Sequence, residues 1–397
     1  MTQKPYRVVS LFAGCGGLDL GFINAGFDVV WANDFLKDSV NTYKKNIGNH
    51  IVYGDIREID SSEIPNDIDV VIGGFPCQGF SVANTKRSMK DERNYLYREL
   101  LRVIRDKRPK FFVAENVKGL LSMQKGKVLE MILQDFRDLG YNVSYRILKA
   151  SDFGVPQHRE RIIIIGNNVG VENTYPEATH KNNHINVKEV IGHLATIRTR
   201  DCSFEHDGET IHNHVARTNV SDKFWSRKHQ VNQSEICDYL KEWRNKSPWT
   251  TKKIDQHFGY AHTAGHWFRK DKSGSIPNPN DWWGLKKLLK FDDKYDRAVT
   301  ELVEKNIKFE QSLRISNWDS PSDTILAGGP EIHPNKERRL SVRECAILQT
   351  FPNHFEFTGS LSKMYIQVGN AVPVLLAQKI GYNVFKSIQT IEGVTHA

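Results

Sequence analysis

The sequence predicts a doubly wound, mostly parallel α/β sheet that carries a second, smaller domain. Three observations lead there. Strand and helix patterns alternate from Arg7 to Gly166, several of those strands end in glycine or an acid, and the alternation stops near Asn167, where His, Asn and Trp become frequent. The 397 residues allow two or three domains.

Arg7 to Phe12 reads as a short apolar strand running into Ala13-Gly14-Cys15-Gly16-Gly17 and a helix from Leu18 to Ala25 that Gly26 stops. Strand, glycine turn and helix open a nucleotide-binding unit, although Gly-x-Gly-Gly is not a strict dinucleotide fingerprint. A second strand, Phe27 to Trp31, leads to Asn33-Asp34, where a ribose hydroxyl pair is usually held. A third, Ile51 to Tyr53, leads to Gly54-Asp55-Ile56. The apolar run Ile68 to Ile72 ends in Gly73-Gly74-Phe75-Pro76-Cys77-Gln78-Gly79-Phe80-Ser81, which sets one thiol where a strand gives way to its loop. Gln78 to Asn94 is polar and basic and reads as a loop beside the site. A helix from Tyr95 to Lys107 precedes a strand, Lys110 to Ala114, that delivers Glu115-Asn116. A helix near Val128 to Leu139, a strand from Val143 to Leu148, and Arg159-Glu160-Arg161 entering Ile162 to Ile165 complete the pattern. Arg159 and Arg161 are two apart, so they are expected on one face.

The domain limits expected are 1–178 for the catalytic and ligand-binding domain, 179–337 for the second domain, 338–366 for a helix and connection, and 367–397 for a segment returning to the first domain. Ser341-Val342-Arg343-Glu344 is a capping box that begins a helix ending before Pro352.

Composition narrows the class. The chain is 39% hydrophobic and 26% charged, as ordinary globular proteins are, and no apolar run is long enough to span a bilayer. Five scattered cysteines without Cys-x-x-Cys point to a reducing compartment, and a cytoplasmic location is expected. Between Lys223 and Lys290 there are fourteen Lys or Arg against six Asp or Glu, an excess equal to the whole net charge of +8. That segment also holds six of the eight tryptophans, the footprint of a nucleic-acid surface. A small domain with a tryptophan core and a lysine exterior has the same composition, so the reading taken is both: several rings in a core, a minority at the nucleic acid. His212 and His214, or His262 and His266, with Cys202 and Cys237, are too loosely spaced for zinc, and no metal is expected.

Cys77 and Glu115 lie at the ends of neighbouring predicted strands and can face one base from two sides. A thiolate added to carbon 6 of cytosine turns the ring into an enamine whose carbon 5 accepts a methyl group from a sulfonium donor. That step needs an acid at ring nitrogen 3, a role for Glu115, and Arg159 and Arg161 suit a base carbonyl or a phosphate.

These residues occur in motifs whose order resembles that of the DNA (cytosine-5) methyltransferases. The motifs are Phe12-Ala13-Gly14-Cys15-Gly16-Gly17, the acids Asp34 and Asp55, Pro76-Cys77-Gln78, Glu115-Asn116-Val117 and Gln157-His158-Arg159-Glu160-Arg161, followed by Arg339 to Cys345 and Gly369-Asn370-Ala371-Val372-Pro373. The chain resembles the compact bacterial restriction-modification type. The resemblance implies the S-adenosylmethionine-dependent methyltransferase fold, S-adenosylmethionine as donor, a target-recognition domain, and a base taken out of duplex DNA. It assigns Cys77 as nucleophile, Glu115 as the acid, and Arg159 and Arg161 as base-holding groups. Donor contacts fall on Phe12, Gly14, Cys15, Gly16, Asp34, Phe35, Asp55, Ile56, Gly74, Pro76, Asn370 and Ala371. The Cys15 side chain is read as packed, and Asp34 and Asp55 are also candidates for helix caps. Gln78, Ser81, Lys86, Arg87, Arg269, Lys270 and Thr324 are the expected DNA contacts, with His257 to Lys270 as a base-reading loop. A monomer is expected, with a cognate endonuclease acting on the same site. A tRNA substrate and a catalytically silent DNA-binding regulator are the alternatives. The basic second domain and the intact motifs favour methylation of DNA.

Overall fold

The structure, a computed structural model, describes residues 5–76, 96–200, 203–218, 233–261, 279–304, 315–335 and 337–393. The chain divides into two compact units: Met1–Val215 with Trp318–Gly328 and Ser341–Ala397, and Ala216–Asn317 with Gly329–Leu340.

In the first unit the order is β1 (Arg7–Leu11), α1 (Gly17–Asn24), β2 (Asp28–Asp34), α2 (Lys37–Asn46), β3 (Ile51–Tyr53), β4 (Val70–Gly73), α3 (Leu96–Lys107), β5 (Phe111–Val117), α4 (Lys127–Asp138), β6 (Asn142–Lys149), β7 (Gln157–His158), β8 (Glu160–Asn167), α5 (Val187–Ile191), β9 (Phe204–His206) and β10 (Glu209–Ile211). The second unit contributes α6 (Gln233–Asn245), α7 (Thr251–Phe258), α8 (Pro279–Leu289) and α9 (Asp296–Glu304). The chain then returns to the first unit for β11 (Ser322–Asp323), α10 (Val342–Leu348), α11 (Leu361–Asn370) and α12 (Val374–Ile391).

The described residues form a seven-stranded sheet in the order β3-β2-β1-β4-β5-β8-β6. The pairs from β3 through β5 are parallel, and β8 runs antiparallel to both β5 and β6. Both faces are covered, which explains the near-continuous apolar runs. On one face Val9, Leu11, Val71, Phe112, Ala114, Ile162 and Ile164 pack against α3 and α4. On the other, Val8, Val70, Ile72, Phe111, Val113, Ile163 and Ile165 meet α1 and α12. Side-chain alternation along each strand sends successive residues to opposite layers.

Strand ends differ from the expected ones where the ladder outlasts the apolar run. β4 lies two residues later than expected at its start and ends on Gly73, and β5 continues through Glu115 and Asn116, which pair with Ile163 and Ile162 of β8. Both acid and amide are therefore held inside the ladder. The capping box is formed: Ser341 Oγ accepts from Glu344 N (3.0 Å), and Glu344 Oε2 accepts from Ser341 N (2.7 Å). His214 meets Ser341 Oγ at 3.0 Å and Ile197 O at 3.2 Å, so both its ring nitrogens serve this packing.

Under the start of α1 lies a buried polar group. Asp19, fully buried, accepts from Ser10 Oγ (3.0 Å) and Tyr43 OH (2.9 Å), and Tyr43 OH lies 2.9 Å from His50 Nε2.

The second unit, whose sequence shows no regular alternation, is helical among its described residues. Its helices enclose a core of Ile236, Tyr239, Leu240, Ile254, Trp282, Leu285, Leu289, Phe291, Tyr295 and Val299. Trp282 is fully buried and donates from Nε1 to Asp296 Oδ1 (2.8 Å); Trp243 and Trp249 pack against this core. Trp283 is 42% exposed, while Trp225 and Trp267 lie outside the described residues. Among the described residues, no helix is long and apolar enough to cross a membrane.

Candidate active site

The strand order places β1 beside β4, so consecutive connections leave the sheet in opposite directions there and open a crevice at the carboxyl ends of the strands. The register lines up what borders it. Leu11 pairs with both Asn33 and Gly73, Gly73 with Ala114, and Asp34 with Tyr53. Phe12, Asp34, Gly74 and Glu115 thus follow one another along one edge. Because β8 is antiparallel, its beginning reaches the same edge, and Arg161 pairs with Val117.

The turn after β1 is left-handed at Phe12 (φ +56°), Gly14 (+58°) and Gly16 (+93°). Asp34 holds it in place: Oδ2 accepts from Gly14 N and Oδ1 from Leu36 N, both at 2.8 Å. Burial raises the Asp34 pKa, and the Leu36 and Gly14 amides oppose that shift. Each carboxylate oxygen keeps an acceptor position beyond these bonds. A side chain at Gly14 would meet nothing within 4 Å, so the turn faces open space there, whereas at Gly16 it would strike Ile47. Phe35, beside Asp34, is 60% exposed. The Cys15 side chain is buried, its Sγ lies 3.7 Å from Gln367 O, and burial followed by Asp34 pushes its thiol pKa well up. Asp55 accepts from Arg57 N (3.0 Å) and pairs with Arg57 Nη2 (2.6 Å), which lowers its pKa. The Ile56 side chain is buried in the core. Asn370 closes α11, and Ala371 and Val372 press on the start of α1, where a side chain at Gly17 would meet Val372 O at 2.6 Å. An open glycine turn, an exposed ring and two acids fit a nucleoside-bearing donor.

Glu115 is 9% exposed, and Arg161 Nε lies 2.6 Å from its Oε1. Gly74 leaves room on the other side, since a Cβ there would sit 3.0 Å from Glu115 Oε2. Asn116, part of the Glu115-Asn116-Val117 motif but given no role of its own by it, donates from Nδ2 to Phe75 O and accepts at Oδ1 from Val117 N, both at 2.8 Å. It ties the end of β5 to the chain two residues before Cys77. Cys77 itself, with Gln78, Ser81, Lys86, Arg87, Arg269 and Lys270, lies outside the described residues; these end at Pro76 on that side.

The two arginines take different hydrogen-bond partners, although the charges of Arg161 and Glu115 both act on Arg159, so the three groups lie near one another. Arg161 turns to Glu115. Arg159 precedes β8, is 1% exposed, and donates to Ile325 O (3.2 Å) and Gly369 O (3.0 Å). Thr324 donates its hydroxyl to His158 O at 2.7 Å.

The family profile of C-5 cytosine-specific DNA methylases matches residues 6–386. The chain belongs to that family. Type II methyltransferase M.NgoFVII of Neisseria gonorrhoeae is 32% identical over 395 residues, covering 94% of this chain and 84% of that protein. Type II methyltransferase M.FnuDI of Fusobacterium nucleatum is 31% identical over 416 residues, covering 98% and 96%. Among solved structures, a protein assigned as a DNA modification methyltransferase encoded within an Escherichia coli prophage aligns with TM-score 0.61 and 23% identity over 97% of this chain and 99% of that one. Schizosaccharomyces pombe Dnmt2 aligns with TM-score 0.53 and 16% identity over 97% of this chain and 99% of its own. These structures share the fold. This C-5 cytosine DNA methylase is therefore a methyltransferase of the S-adenosylmethionine-dependent type, with DNA as the substrate its family implies.

Proposed function

We propose that the protein methylates carbon 5 of a cytosine extruded from a specific sequence in duplex DNA, as the modification half of a restriction-modification pair with a cognate endonuclease. S-adenosylmethionine, when bound, supplies an electrophilic methyl group on sulfonium sulfur. Phe12, Gly14, Gly16, Asp34, Phe35, Asp55, Asn370 and Ala371 hold that donor. Cys77 adds as thiolate to carbon 6, forming the sulfur–carbon bond, while Glu115 gives its proton to ring nitrogen 3 and the electron pair of the 5,6 double bond becomes available at carbon 5. After methyl transfer to carbon 5, water removes the carbon 5 proton, the double bond re-forms, the bond to Cys77 breaks, and nitrogen 3 returns its proton to Glu115. Arg161 keeps Glu115 in place throughout.

The observation that carries this reading is the Glu115 carboxylate, fixed by Arg161 on one oxygen and facing the side-chain-free Gly74 on the other, three residues before Cys77. The basic, tryptophan-rich segment and the match to the C-5 cytosine-specific DNA methylase profile favour DNA over tRNA.

Bisulfite sequencing of plasmid from cells expressing the chain is expected to show fully converted cytosines everywhere except one position in one short sequence. Cys77→Ala is expected to abolish protection while leaving donor binding intact, and 5-fluorocytosine at the target to trap a covalent complex. Unprotected plasmid together with methylated tRNA would refute the DNA reading; turnover by Cys77→Ala would refute the adduct.

A further inference from the structure

We propose that Arg159 is a positioning residue, a buried clamp that ties the Thr324–Ala327 segment to the end of α11, and that it does not contact the target base. Resemblance alone would pair it with Arg161 as a base-holding group. The two side chains stay close enough to feel each other's charge, but they bond to different partners.

The argument starts from helix α11. The last carbonyls of a helix lack intrahelical partners, and a cationic donor is favoured at that end. Here the Val368 carbonyl accepts from Gln349 Nε2 (2.7 Å) and the Gly369 carbonyl from Arg159 Nη2 (3.0 Å). Arg159 therefore caps the very turn that leads into Asn370 and Ala371, two of the residues assigned to the donor.

Its other terminal nitrogen reaches the Ile325 carbonyl (3.2 Å), and the amide of the same Ile325 donates to Gln157 Oε1 (3.1 Å). Both backbone groups of one residue are thus held by side chains two apart. Thr324 Oγ1 adds its bond to His158 O, and β11 pairs with β7 through Ser322 with Gln157 and Asp323 with His158. Three consecutive residues, Gln157, His158 and Arg159, stitch down the stretch from Ser322 to Ile325. That stretch belongs to Trp318–Gly328, which returns to the first unit between two segments of the second.

Glycine at 369 lets the clamp close. A Cβ there would lie 2.4 Å from Ala327 N and 2.6 Å from Leu326 C, so the two backbones touch, and the guanidinium bridges them beside the contact. At 1% exposure Arg159 offers almost no surface to an incoming ring. Lysine keeps the charge but not the planar fork that reaches two carbonyls at once.

Hydrogen exchange by mass spectrometry on the full chain, without DNA or donor, tests the clamp directly. In R159K, peptides covering residues 318–328 and 366–372 are expected to exchange about tenfold faster than wild type, with the β5 peptide unchanged. Unchanged exchange in both peptides overturns the proposal. Should R159K not fold, Q157A, which removes the bond to the Ile325 amide, decides by the same readout on 318–328. This arm is independent of the proposed reaction; the second arm rests on it. R159K is expected to weaken binding to a duplex abasic at the target position by the same factor as to the cytosine duplex. Its single-turnover rate should also stay above that of R159A. Weakening confined to the cytosine duplex would return Arg159 to the base.

Discussion

Asp19→Asn tests how the glycine turn after β1 is supported from below. Asp19 occupies the first turn of α1 with no exposure, and its partners are two hydroxyls, Ser10 and Tyr43. The hydroxyl bonds favour the carboxylate, but burial prevails and raises its pKa from 3.8 to about 7, with Asp34 adding a small push in the same direction. As pH rises from the unfolded value toward the folded one, the unfolded chain releases this proton and the folded chain keeps it. The unfolded state then binds fewer protons, so stability falls across that window and levels off above it. The gap corresponds to about 4 kcal/mol at full development. Asparagine has no proton to release and retains an oxygen for the Tyr43 hydroxyl. The stability of Asp19→Asn relative to wild type is therefore expected to grow by about 4 kcal/mol between about pH 4 and about pH 8. Urea-dependent hydrogen exchange of the α1 peptide, measured for both proteins across that range, reads the opening of this helix alone. A difference that stays constant to within about 0.5 kcal/mol would mean that Asp19 ionises as an ordinary surface acid, and the account of its burial would be wrong. His50, at the far end through Tyr43, has a pKa lowered by its own partial burial, so it does not supply a compensating charge near neutrality.

Other perturbations address the site itself. Gly369→Ala drives a methyl group into the Ala327 backbone and is expected to cost about 3 kcal/mol or more, seen as a lowered urea midpoint; an unchanged midpoint would mean that the two turns do not meet. Asn116→Ala strips the partner from the Phe75 carbonyl and is expected to destabilise by about 1–3 kcal/mol. The same change should slow covalent trapping by 5-fluorocytosine DNA by about tenfold with donor affinity unchanged, since a 1.4 kcal/mol misplacement is one decade in rate. Equal trapping rates would remove Asn116 from the account of how Cys77 is positioned. Trp283 and Lys287 are exposed one turn apart on α8, and Lys290, just past its end, is exposed as well, a surface suited to phosphates. Charge reversal at Lys287 and Lys290 together is expected to reduce the slope of log affinity against log salt by about 2, and an unaltered slope would take this face away from the DNA.

Residues that matter through their immediate neighbours in the chain could be read directly. The glycine turn, the acids that close β2 and follow β3, the Pro76-Cys77-Gln78 motif, Glu115 and the Ser341 capping box each show their pattern within a few residues, and the family motifs are built from those local patterns. The second unit resisted for the opposite reason. Its helices are short and their apolar positions converge on Trp282 from four separate segments, so no single segment shows a complete face. Its aromatic content therefore mixes core rings such as Trp282 with the exposed Trp283, two adjacent residues that composition treats alike.

The chain alone determined the reaction class, the sheet that bears it and the residues bordering the crevice, because alternation, glycine placement and motif order are properties of the linear polymer. Tertiary structure decided what each polar side chain is for. Arg159 and Arg161 have the same chemistry two positions apart. Yet one meets carbonyls 166 and 210 residues away while the other meets a carboxylate, because a buried guanidinium must take whatever acceptors the returning segments present.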